Sequence, residues 1–582
     1  MMPPLAPFVL LHDARCGGAA ARLYRDPRRI VAAHTPAEVA DVLATVRGWE
    51  GAAAGFLSYG AGAAFEPAAA AEPASPTPLA WFGLFDGHEE IADVAAWLPD
   101  PAGARTGTPA PETALAAYRA MFEATQALIR AGDLYQLNLT FRARVPFTGD
   151  PLSLYARLRE TAGAGWSAVV ATGTQTILSL SPELFFALDG DALTCRPMKG
   201  TARRHADPAT DLAIARALAA DAKQRAENLM IVDLMRNDLS RVALPGSVAV
   251  PALFSVERYP TVHQMTSTVT ATRAPEQDAV DVIEALFPCG SITGAPKVRA
   301  MQAIAAIEQG SPRGIYTGAI GRIDADGSAA FNVAIRTLLI EDGADHAMIG
   351  IGGGIVADSR AEDEWDEALA KAAFLTRDTR TVDLIETMAF DPEEGLLRIE
   401  RHLTRLRASA DVLGYSFDRH DVRNELQAAT FRLRKPARVR LLVSRTGAIA
   451  IEVAAAPPPP DRPLRVMLVP LPVGTRDWRL RHKTSDRRFY DAARAASGAD
   501  EVVFVAPDGR VTEGSFTNVF VTRGDTLVTP RAGPLLPGVL RGEMLEDGRA
   551  IEGDLFAADL ADGLFVGNAL RGLMPAALAV AQ

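Results

Sequence analysis

The chain has 582 residues, with 60 basic and 71 acidic side chains, a formal net charge of −11 and 48% hydrophobic residues. This apolar content excludes a disordered chain, and the negative charge argues against a nucleic-acid binding protein. No apolar stretch reaches the ~18 residues of a membrane span, and no basic segment precedes the short apolar run at the N-terminus. We therefore expect a cytoplasmic protein without a signal peptide. Cys16, Cys195 and Cys289 are too few for a disulfide framework and lack metal-ligand spacing.

Hydrophobic periodicity predicts mixed helices and strands in the first two thirds of the chain. A helix is expected over 115–132 and a strand over 134–145, where Tyr135 and alternate apolar residues share one face. Further helices are expected over 209–235, 296–309 and 361–377. A second compositional unit begins near residue 381 and is interrupted by a proline-rich connector at 454–463. The sequence thus predicts a large domain of about 380 residues and a two-lobed one of about 200.

Acidic residues of two predicted helices indicate a metal site. Glu364, Glu367 and Lys371 share one helix face, which a solvent-exposed ion pair would also explain. Glu227 lies among apolar neighbours in its helix and needs a partner there. Converging carboxylates suit Mg²⁺, which takes oxygen ligands and keeps several waters.

Two glycine-containing segments and one arginine indicate an anionic ligand. Thr293 and Gly294 directly precede a predicted helix, whose free N–H groups favour an anion, although plain capping explains the same pattern. Gly352–Gly354 interrupt an apolar strand, which indicates close approach of a ligand or another backbone, or else a bulge. Arg336 could form a fork with a carboxylate or be an edge-strand arginine. Together these signals predict a dianionic ligand with magnesium.

The motifs over residues 115–375 resemble the chorismate-utilising enzymes. They are SPELFF (181–186), RPMKGTARR (196–204), AENLMIVDLMRNDLSRV (226–242), LFPCGSITGAPKVRAM (286–301), RGIYTGAIG (313–321) and GGGIVADS (352–359). The resemblance implies an α+β fold of large antiparallel sheets flanked by helices. Residues 1–110 would be the N-terminal part of this region and 111–380 the chorismate-binding catalytic domain.

The same resemblance implies roles for individual residues. Mg²⁺ would be bound by Glu227 and Glu367, with Glu364 acting through water. Glu183 would be the general acid that helps the 4-hydroxyl leave, and His263 would line the ring site. The implied chorismate contacts are Gln136, Thr293, Gly294, Tyr316, Arg336, Gly352, Gly353, Gly354 and Lys371.

Two positions separate the branches of this family. Lys199 matches a nucleophilic lysine of aminodeoxychorismate synthases, where similar anthranilate synthases usually carry alanine. A buried amine with a lowered pKa could attack the ring and then be displaced by ammonia at C4; a surface lysine is the alternative. Gln136 matches a lysine base of water-adding relatives, and because glutamine cannot accept a proton, isochorismate formation is disfavoured. No cysteine lies in a glutaminase-like turn, so ammonia would come from a separate glutamine amidotransferase subunit or from solution.

The motifs of residues 381–582 resemble the class IV pyridoxal-phosphate enzymes, which include aminotransferases and aminodeoxychorismate lyase. They are LIETM (384–388), ERHLTRL (400–406), HKTSDR (482–487), TEGSFTNVF (512–520), LPGVLR (536–541) and GNALRG (567–572). Taken singly, their charged residues are ordinary surface and turn residues. The resemblance implies a two-lobed α/β domain, with a small lobe over 381–456 and a large lobe over 463–582, that could form a homodimer.

Here too the resemblance implies a set of site residues. Lys483 would be the Schiff-base lysine and proton carrier, and Glu513 would pair with the pyridine nitrogen. The phosphate contacts would be Arg405, Asn568 and the N–H groups of Val539 and Leu540. Tyr490 is seven residues past Lys483, a longer spacing than the tyrosine of aminotransferase relatives.

Together the two halves predict synthesis of 4-aminobenzoate, a folate precursor. Chorismate would be aminated to 4-amino-4-deoxychorismate, from which the second half would eliminate pyruvate. One alternative is an anthranilate synthase component I fused to a class IV aminotransferase. Another is that one half is a non-catalytic scaffold that docks the glutaminase.

Overall fold

Two large sheets organise the first part of the chain. The computed structural model describes residues 5–579 except 16, 70, 71, 74, 260, 261, 310, 377–381 and 562. The strands are β1 Phe8–His12, β2 Ala21–Arg25, β3 Arg29–Ala33, β4 Ala52–Leu57, β5 Ala80–Phe85, β6 Glu89–Ile91, β7 Ala104–Thr106, β8 Ala110–Pro111, β9 Gln136–Gly149, β10 Trp166–Ala171, β11 Gln175–Ser181, β12 Leu184–Asp189, β13 Ala192–Arg196, β14 Met198–Arg203, β15 Ala249–Arg258, β16 Val262–Thr272, β17 Gly294–Ala295, β18 Ala319–Ile323, β19 Ala329–Val333, β20 Thr337–Glu341 and β21 His346–Ile355. The helices are α1 Pro36–Arg47, α2 Gly62–Phe65, α3 Val94–Trp97, α4 Leu115–Arg130, α5 Pro151–Ala162, α6 Pro208–Ala220, α7 Ala222–Ser240, α8 Ala279–Leu286, α9 Lys297–Ile307 and α10 Ala361–Lys371.

The N-terminal strands are built into both sheets. Within the described residues, the first sheet has the order β17-β9-β21-β20-β11-β10-β1-β2-β6, and β7 and β8 also pair with β9. The second has the order β14-β16-β13-β12-β19-β18-β4-β5-β3, with β15 on β16. One apolar core joins Phe141 of the first sheet to Phe82 and Phe331 of the second. The predicted fold of large antiparallel sheets flanked by helices is confirmed.

The predicted strand over 134–145 is confirmed as β9, which extends to Gly149 and pairs antiparallel with β21. Leu137, Leu139 and Phe141 pack in the core, as the alternation predicts. Tyr135, which was expected on the same face, precedes the strand and is 70% exposed. Gln136, on the opposite face, is nevertheless fully buried, so this end of the strand is covered on both sides.

The helix predictions are confirmed for 115–132, 296–309 and 361–377 by α4, α9 and α10, although α10 stops at Lys371 before a short 3₁₀ turn. The prediction of one helix over 209–235 is wrong, because α6 and α7 are separate. Asp221 adopts an extended conformation between them and accepts a hydrogen bond from the Gln224 N–H at 2.8 Å, which caps α7.

Residues 382–579 form two further sheets. The strands are β22 Leu384–Asp391, β23 Gly395–Leu396, β24 Ala437–Val443, β25 Ile449–Ala455, β26 Leu464–Pro470, β27 Glu501–Val505, β28 Val511–Gly514, β29 Asn518–Arg523, β30 Thr526–Pro530, β31 Ala550–Gly553, β32 Leu564–Asn568 and β33 Gly572–Leu578. The helices are α11 Ile399–Leu413, α12 Arg419–Thr430, α13 Arg488–Ser497 and α14 Val539–Glu546. The orders are β23-β22-β24-β25, and β28-β27-β26-β33-β32-β29-β30-β31 with parallel and antiparallel pairs.

Among the helices of the described residues, none combines the length and the hydropathy of a membrane span. Cys195 and Cys289 are buried free thiols, whereas Cys16 lies outside the described residues.

Candidate functional site

Lys199 and Gln136 meet above Gly354, where β14, β9 and β21 come together. A Cβ atom on Gly354 would lie 2.6 Å from Lys199 Nζ and 3.0 Å from Gln136 Nε2. No side chain larger than hydrogen leaves that space free. The glycine run therefore marks close approach of two polar side chains, one of the outcomes that a glycine inside a strand indicates.

The Gln136 amide is buried without a partner. Neither Oε1 nor Nε2 has a hydrogen bond to any described residue. A buried polar group in this state costs about 1–3 kcal/mol unless a ligand or water satisfies it. Gln136 thus fits a substrate contact, since a bound molecule would complete its hydrogen bonds.

Carboxylates surround the Lys199 amine, which is half-buried. Glu227 of α7 places Oε2 3.6 Å from Lys199 Nζ. The charge of Lys199 also opposes the rise in pKa that burial causes at Glu183 and Glu364, and it contributes to the lowered pKa of Glu367. Lys199 is therefore not a free surface lysine.

The α10 face carries the other predicted metal ligands. Lys371 Nζ lies 3.0 Å from Glu367 Oε1 and donates to the Gly352 carbonyl at 2.8 Å. Glu364 accepts a hydrogen bond from Ser359 Oγ at 2.7 Å, and burial raises its pKa. The predicted helix face that carries Glu364, Glu367 and Lys371 is thus turned towards β21.

These carboxylates fit a magnesium ion held by few protein ligands. In the described ranges no three His, Cys, Asp or Glu side chains form a group that could hold a metal ion. Mg²⁺ commonly takes only one or two protein carboxylates and keeps its waters. Binding of Mg²⁺ by Glu227 and Glu367, with Glu364 acting through a water, is compatible with this preference and stays a prediction.

Glu183 has the environment of a general acid. The side chain is buried, and Ser291 Oγ donates to its Oε1 at 2.7 Å. Burial raises the pKa of Glu183 to about 7. A carboxyl group with this pKa is partly protonated at neutral pH and can give a proton to a leaving hydroxyl.

The His263 side chain contacts a different carboxylate, that of Asp211. Its Nε2 is 2.8 Å from Asp211 Oδ1, and Asp211 also accepts hydrogen bonds from Arg204. No hydrogen bond or ion pair joins His263 to Lys199 or Glu183 in the described part of the chain. A contact between His263 and the substrate ring stays a prediction.

Thr293 and Gly294 form the wall behind Gln136. Gly294 pairs with Leu137 across β17 and β9, and a Cβ atom on it would lie 2.3 Å from the Gln136 carbonyl. The Thr293 hydroxyl donates to carbonyls of its own loop, at Cys289 and Gly290. Both residues shape the site, but the hydroxyl is already engaged.

Arg336 and Tyr316 are two further predicted substrate contacts. The Arg336 guanidinium has no ion pair or hydrogen bond with any described residue, and burial lowers its pKa. It is free to pair with a carboxylate. The Tyr316 ring packs against Gly350, where a Cβ atom would lie 2.1 Å from Cγ, and burial raises the pKa of its hydroxyl.

A second site is a cavity of about 440 Å³ in the 382–579 region. Its lining includes five of the six residues predicted to bind the cofactor: Lys483, Arg405, Glu513, Val539 and Asn568. The sixth, Leu540, packs its side chain against Phe520 and Met544, which leaves a backbone contact only.

Lys483 and Glu513 have shifted proton affinities. Burial, followed by the charge of Arg405, lowers the pKa of Lys483 to about 7. Burial raises the pKa of Glu513 to about 7. Tyr490 Oη donates to Glu513 Oε1 at 2.5 Å, and the Leu536 N–H donates to Oε2 at 2.9 Å. Tyr490 therefore positions Glu513, a role that the sequence left open.

The predicted phosphate end of the cavity is cationic. Arg405 forks onto Glu386 at 2.8 and 2.6 Å and donates to the Pro537 carbonyl at 3.0 Å. Helix α14 begins nearby at Val539, and its first N–H groups suit an anion. Asn568 donates to the Phe516 carbonyl at 3.2 Å and accepts from its own loop, so its phosphate contact stays a prediction.

These groups fit pyridoxal phosphate, which needs an amine, an acid for its ring nitrogen and a cationic phosphate cradle. Sequence reasoning missed Glu386 and His402, which share a 2.6 Å contact and fix Arg405. A signal was available, because Glu386 is the one charge in the apolar stripe Leu384, Glu386 and Met388 of β22.

Comparison with known proteins places both halves. Residues 19–377, more than half of the chain, match the chorismate binding enzymes. The chain belongs to the chorismate binding enzyme family. Residues 383–579 match the amino-transferase class IV family, so the resemblance of each half is confirmed.

Relatives of this chorismate binding enzyme are named for two different activities. Aminodeoxychorismate synthase component 1 of Salmonella typhimurium is 45% identical over 254 residues, which are 44% of this chain and 55% of that protein. Anthranilate synthase component 1 of Streptomyces coelicolor is 43% identical over 250 residues, 43% of this chain and 48% of that protein. The chain spans about half the length of these curated relatives. The crystal structure of anthranilate synthase component I from Streptococcus pneumoniae is 26% identical, with a TM-score of 0.53, and covers 65% of this chain and 94% of that one.

Proposed function

We propose that the chain is a bifunctional enzyme that converts chorismate and ammonia to 4-aminobenzoate. Residues 1–380 aminate chorismate to 4-amino-4-deoxychorismate, and residues 381–582 release pyruvate from that intermediate. The observation that carries the proposal is the Lys199 amine, half-buried among carboxylates and beside the unpaired amide of Gln136. The first product is a primary amine, which is the functional group that a pyridoxal enzyme binds.

Lys199 supplies the nucleophile of the first reaction. In its neutral form, Nζ forms a bond to the substrate ring, while the C4–O bond breaks and the 4-hydroxyl leaves as water with a proton from Glu183. Ammonia then bonds to C4, and the electron pair of the ring–Lys199 bond returns to Nζ. Glu227 and Glu367, with Glu364 through a water, would hold Mg²⁺, which would supply positive charge for a carboxylate of the substrate. Arg336 and Lys371 hold the remaining carboxylate charge.

Lys483 is the proton carrier of the second reaction. Its Nζ takes the proton from C4 of the intermediate; the C–O bond between the ring and the enolpyruvyl group breaks, the departing enolate takes up a proton to become pyruvate, and the ring is left aromatic. Pyridoxal phosphate supplies the electron sink for this step. Glu513, held by Tyr490 and the Leu536 N–H, keeps a proton at the pyridine nitrogen.

Anthranilate synthesis is the second candidate for the first half, since the Streptomyces coelicolor anthranilate synthase component is 43% identical. A lysine at position 199 argues against it, because ammonia addition alone needs no protein nucleophile there.

Product identification from chorismate, ammonium and Mg²⁺ tests the proposal. We expect 4-amino-4-deoxychorismate without pyridoxal phosphate and 4-aminobenzoate plus pyruvate with it. Anthranilate as the product would replace the first half of the proposal, and dependence on 2-oxoglutarate would replace the second. Glutamine alone should support turnover only after a glutamine amidotransferase subunit is added.

A further inference from the structure

The segment that carries Lys483 is in direct contact with the synthase half of the chain. Arg479, four residues before Lys483, is only 4% exposed and is surrounded by carboxylates. It donates to Asp477 at 2.6 Å and Asp486 at 3.2 Å within its own segment. It also donates at 2.7 Å to Asp100, which belongs to the synthase half.

Trp478 makes a second set of contacts across the same boundary. Its indole Nε1 donates to the Ala102 carbonyl at 2.7 Å, and its ring lies 5.0 Å from the Arg105 guanidinium. Arg105 also donates to the Tyr415 hydroxyl at 3.2 Å. Nearby, Arg476 lies 3.1 Å from Asp342 of the synthase half.

The synthase side of this contact is rigidly held. We name residues 100–106 the docking rim. The rim includes β7, which pairs with the end of β9, where Ala104 lies opposite Gly149. Asp100 caps the turn of the rim by accepting from the Ala102 N–H at 2.9 Å. The Thr106 hydroxyl donates to the Leu375 carbonyl at 2.7 Å. The rim is thus part of the synthase core and can hold what docks on it.

On the lyase side the same segment reaches the cavity within four residues. The Lys483 carbonyl accepts from the Ile385 N–H at 2.9 Å, and His482 Nδ1 lies 3.0 Å from Ser409 Oγ. Displacing Trp478 and Arg479 from the rim would therefore move the backbone that carries the amine.

We propose that the docking rim supports the lyase site, with Asp100 and Arg105 as positioning residues that hold the Lys483 segment against the cavity. The inference rests on the proposed lyase function, but its physical basis is the contact itself. Without the synthase half, Arg479 would lose its third carboxylate partner, Asp100, and the Trp478 indole would lose its hydrogen-bond acceptor, the Ala102 carbonyl.

The test uses the full chain with Asp100→Asn and Arg105→Ala together. We expect lyase turnover of supplied intermediate to fall about tenfold, as small misplacements of a catalytic group typically cost one to two orders of magnitude. Amination by the synthase half should stay within about twofold. The single variant Asp100→Glu keeps the carboxylate and should have most of the lyase rate of the unaltered chain. Asp86→Asn removes an exposed charge elsewhere in the same half and should change neither activity.

A second readout does not depend on turnover. Because burial is the main cause of the lowered Lys483 pKa, loosening the segment should raise that pKa. The rate at which the apoprotein captures pyridoxal phosphate can be measured by absorbance at a series of pH values. The pH profile of this rate should shift by about half a pH unit or more towards higher pH in the double variant. Unchanged capture and unchanged lyase turnover in that variant would overturn the docking-rim proposal. Absence of lyase turnover in the unaltered chain would instead overturn the proposed function.

Discussion

Lys199 is the residue on which the proposed amination depends most directly. Lys199→Ala removes the amine that meets Gln136 above Gly354. We expect amination to fall by about 1,000-fold or more, as losses of catalytic nucleophiles do, with lyase turnover of supplied intermediate unchanged. Lys435→Ala, which removes an exposed lysine elsewhere in the chain, is the control. Full amination by the Lys199 variant would refute the nucleophile assignment.

Glu183 gives the amination reaction a predicted pH dependence. Burial raises the pKa of Glu183 to about 7, so the carboxyl is protonated below that pH and loses its proton as the pH rises through it. The acid form is the active one, and kcat/KM should therefore fall about tenfold per pH unit above neutrality. Initial rates from pH 5.5 to 9 measure this. In Glu183→Gln the rate should be low and this fall absent; a persisting descent would assign it to another group.

At the scale of elements, Gly354, the last glycine of β21, determines how closely three strands meet. In Gly354→Ala, the new methyl group would lie 2.6 Å from Lys199 Nζ and 3.0 Å from Gln136 Nε2. Both are ends of flexible side chains, so they can move aside with little loss of folding free energy, but they then leave the catalytic position. We expect an unchanged melting temperature and amination reduced at least about tenfold.

Gly87→Ala provides the comparison, because nothing lies within 4 Å of its Cβ position. Equal amination in the Gly354 and Gly87 variants would mean that the space above Gly354 has no catalytic use.

The same elements show what sequence periodicity could and could not predict. The i, i+3, i+7 spacing on α10 correctly put Glu364, Glu367 and Lys371 on one face, because a helix face is a local property. The break between α6 and α7 was missed, since one extended residue, Asp221, interrupts an otherwise helical pattern. The meeting of Lys199, Gln136 and Gly354 depends on long-range strand register, which no local pattern encodes. Family resemblance was the only basis on which the sequence predicted that these residues belong to one site.

At the scale of the whole molecule, β9 separates the two candidate sites. The strand has 14 residues, from Gln136 in the amination site to Gly149 beside the docking rim. At about 3.4 Å per residue it spans roughly 45 Å. Because the docking rim contacts the Lys483 segment at the Gly149 end of this strand, we expect the intermediate to be released into solution before it enters the second site.

Mixing two inactive variants tests this release. Lys199→Ala keeps the lyase site and Lys483→Ala keeps the amination site, so neither alone should form 4-aminobenzoate from chorismate and ammonium. Together, in equal amounts, they should form it after a lag while the intermediate accumulates in solution. The rate should rise with the concentration of the Lys199 variant, because capture of a free intermediate depends on how much lyase is present. Chromatography of timed samples would follow both compounds. If each variant retains its own half-reaction but the mixture forms no 4-aminobenzoate, the intermediate stays within one chain. The prediction that it is released into solution would then be wrong.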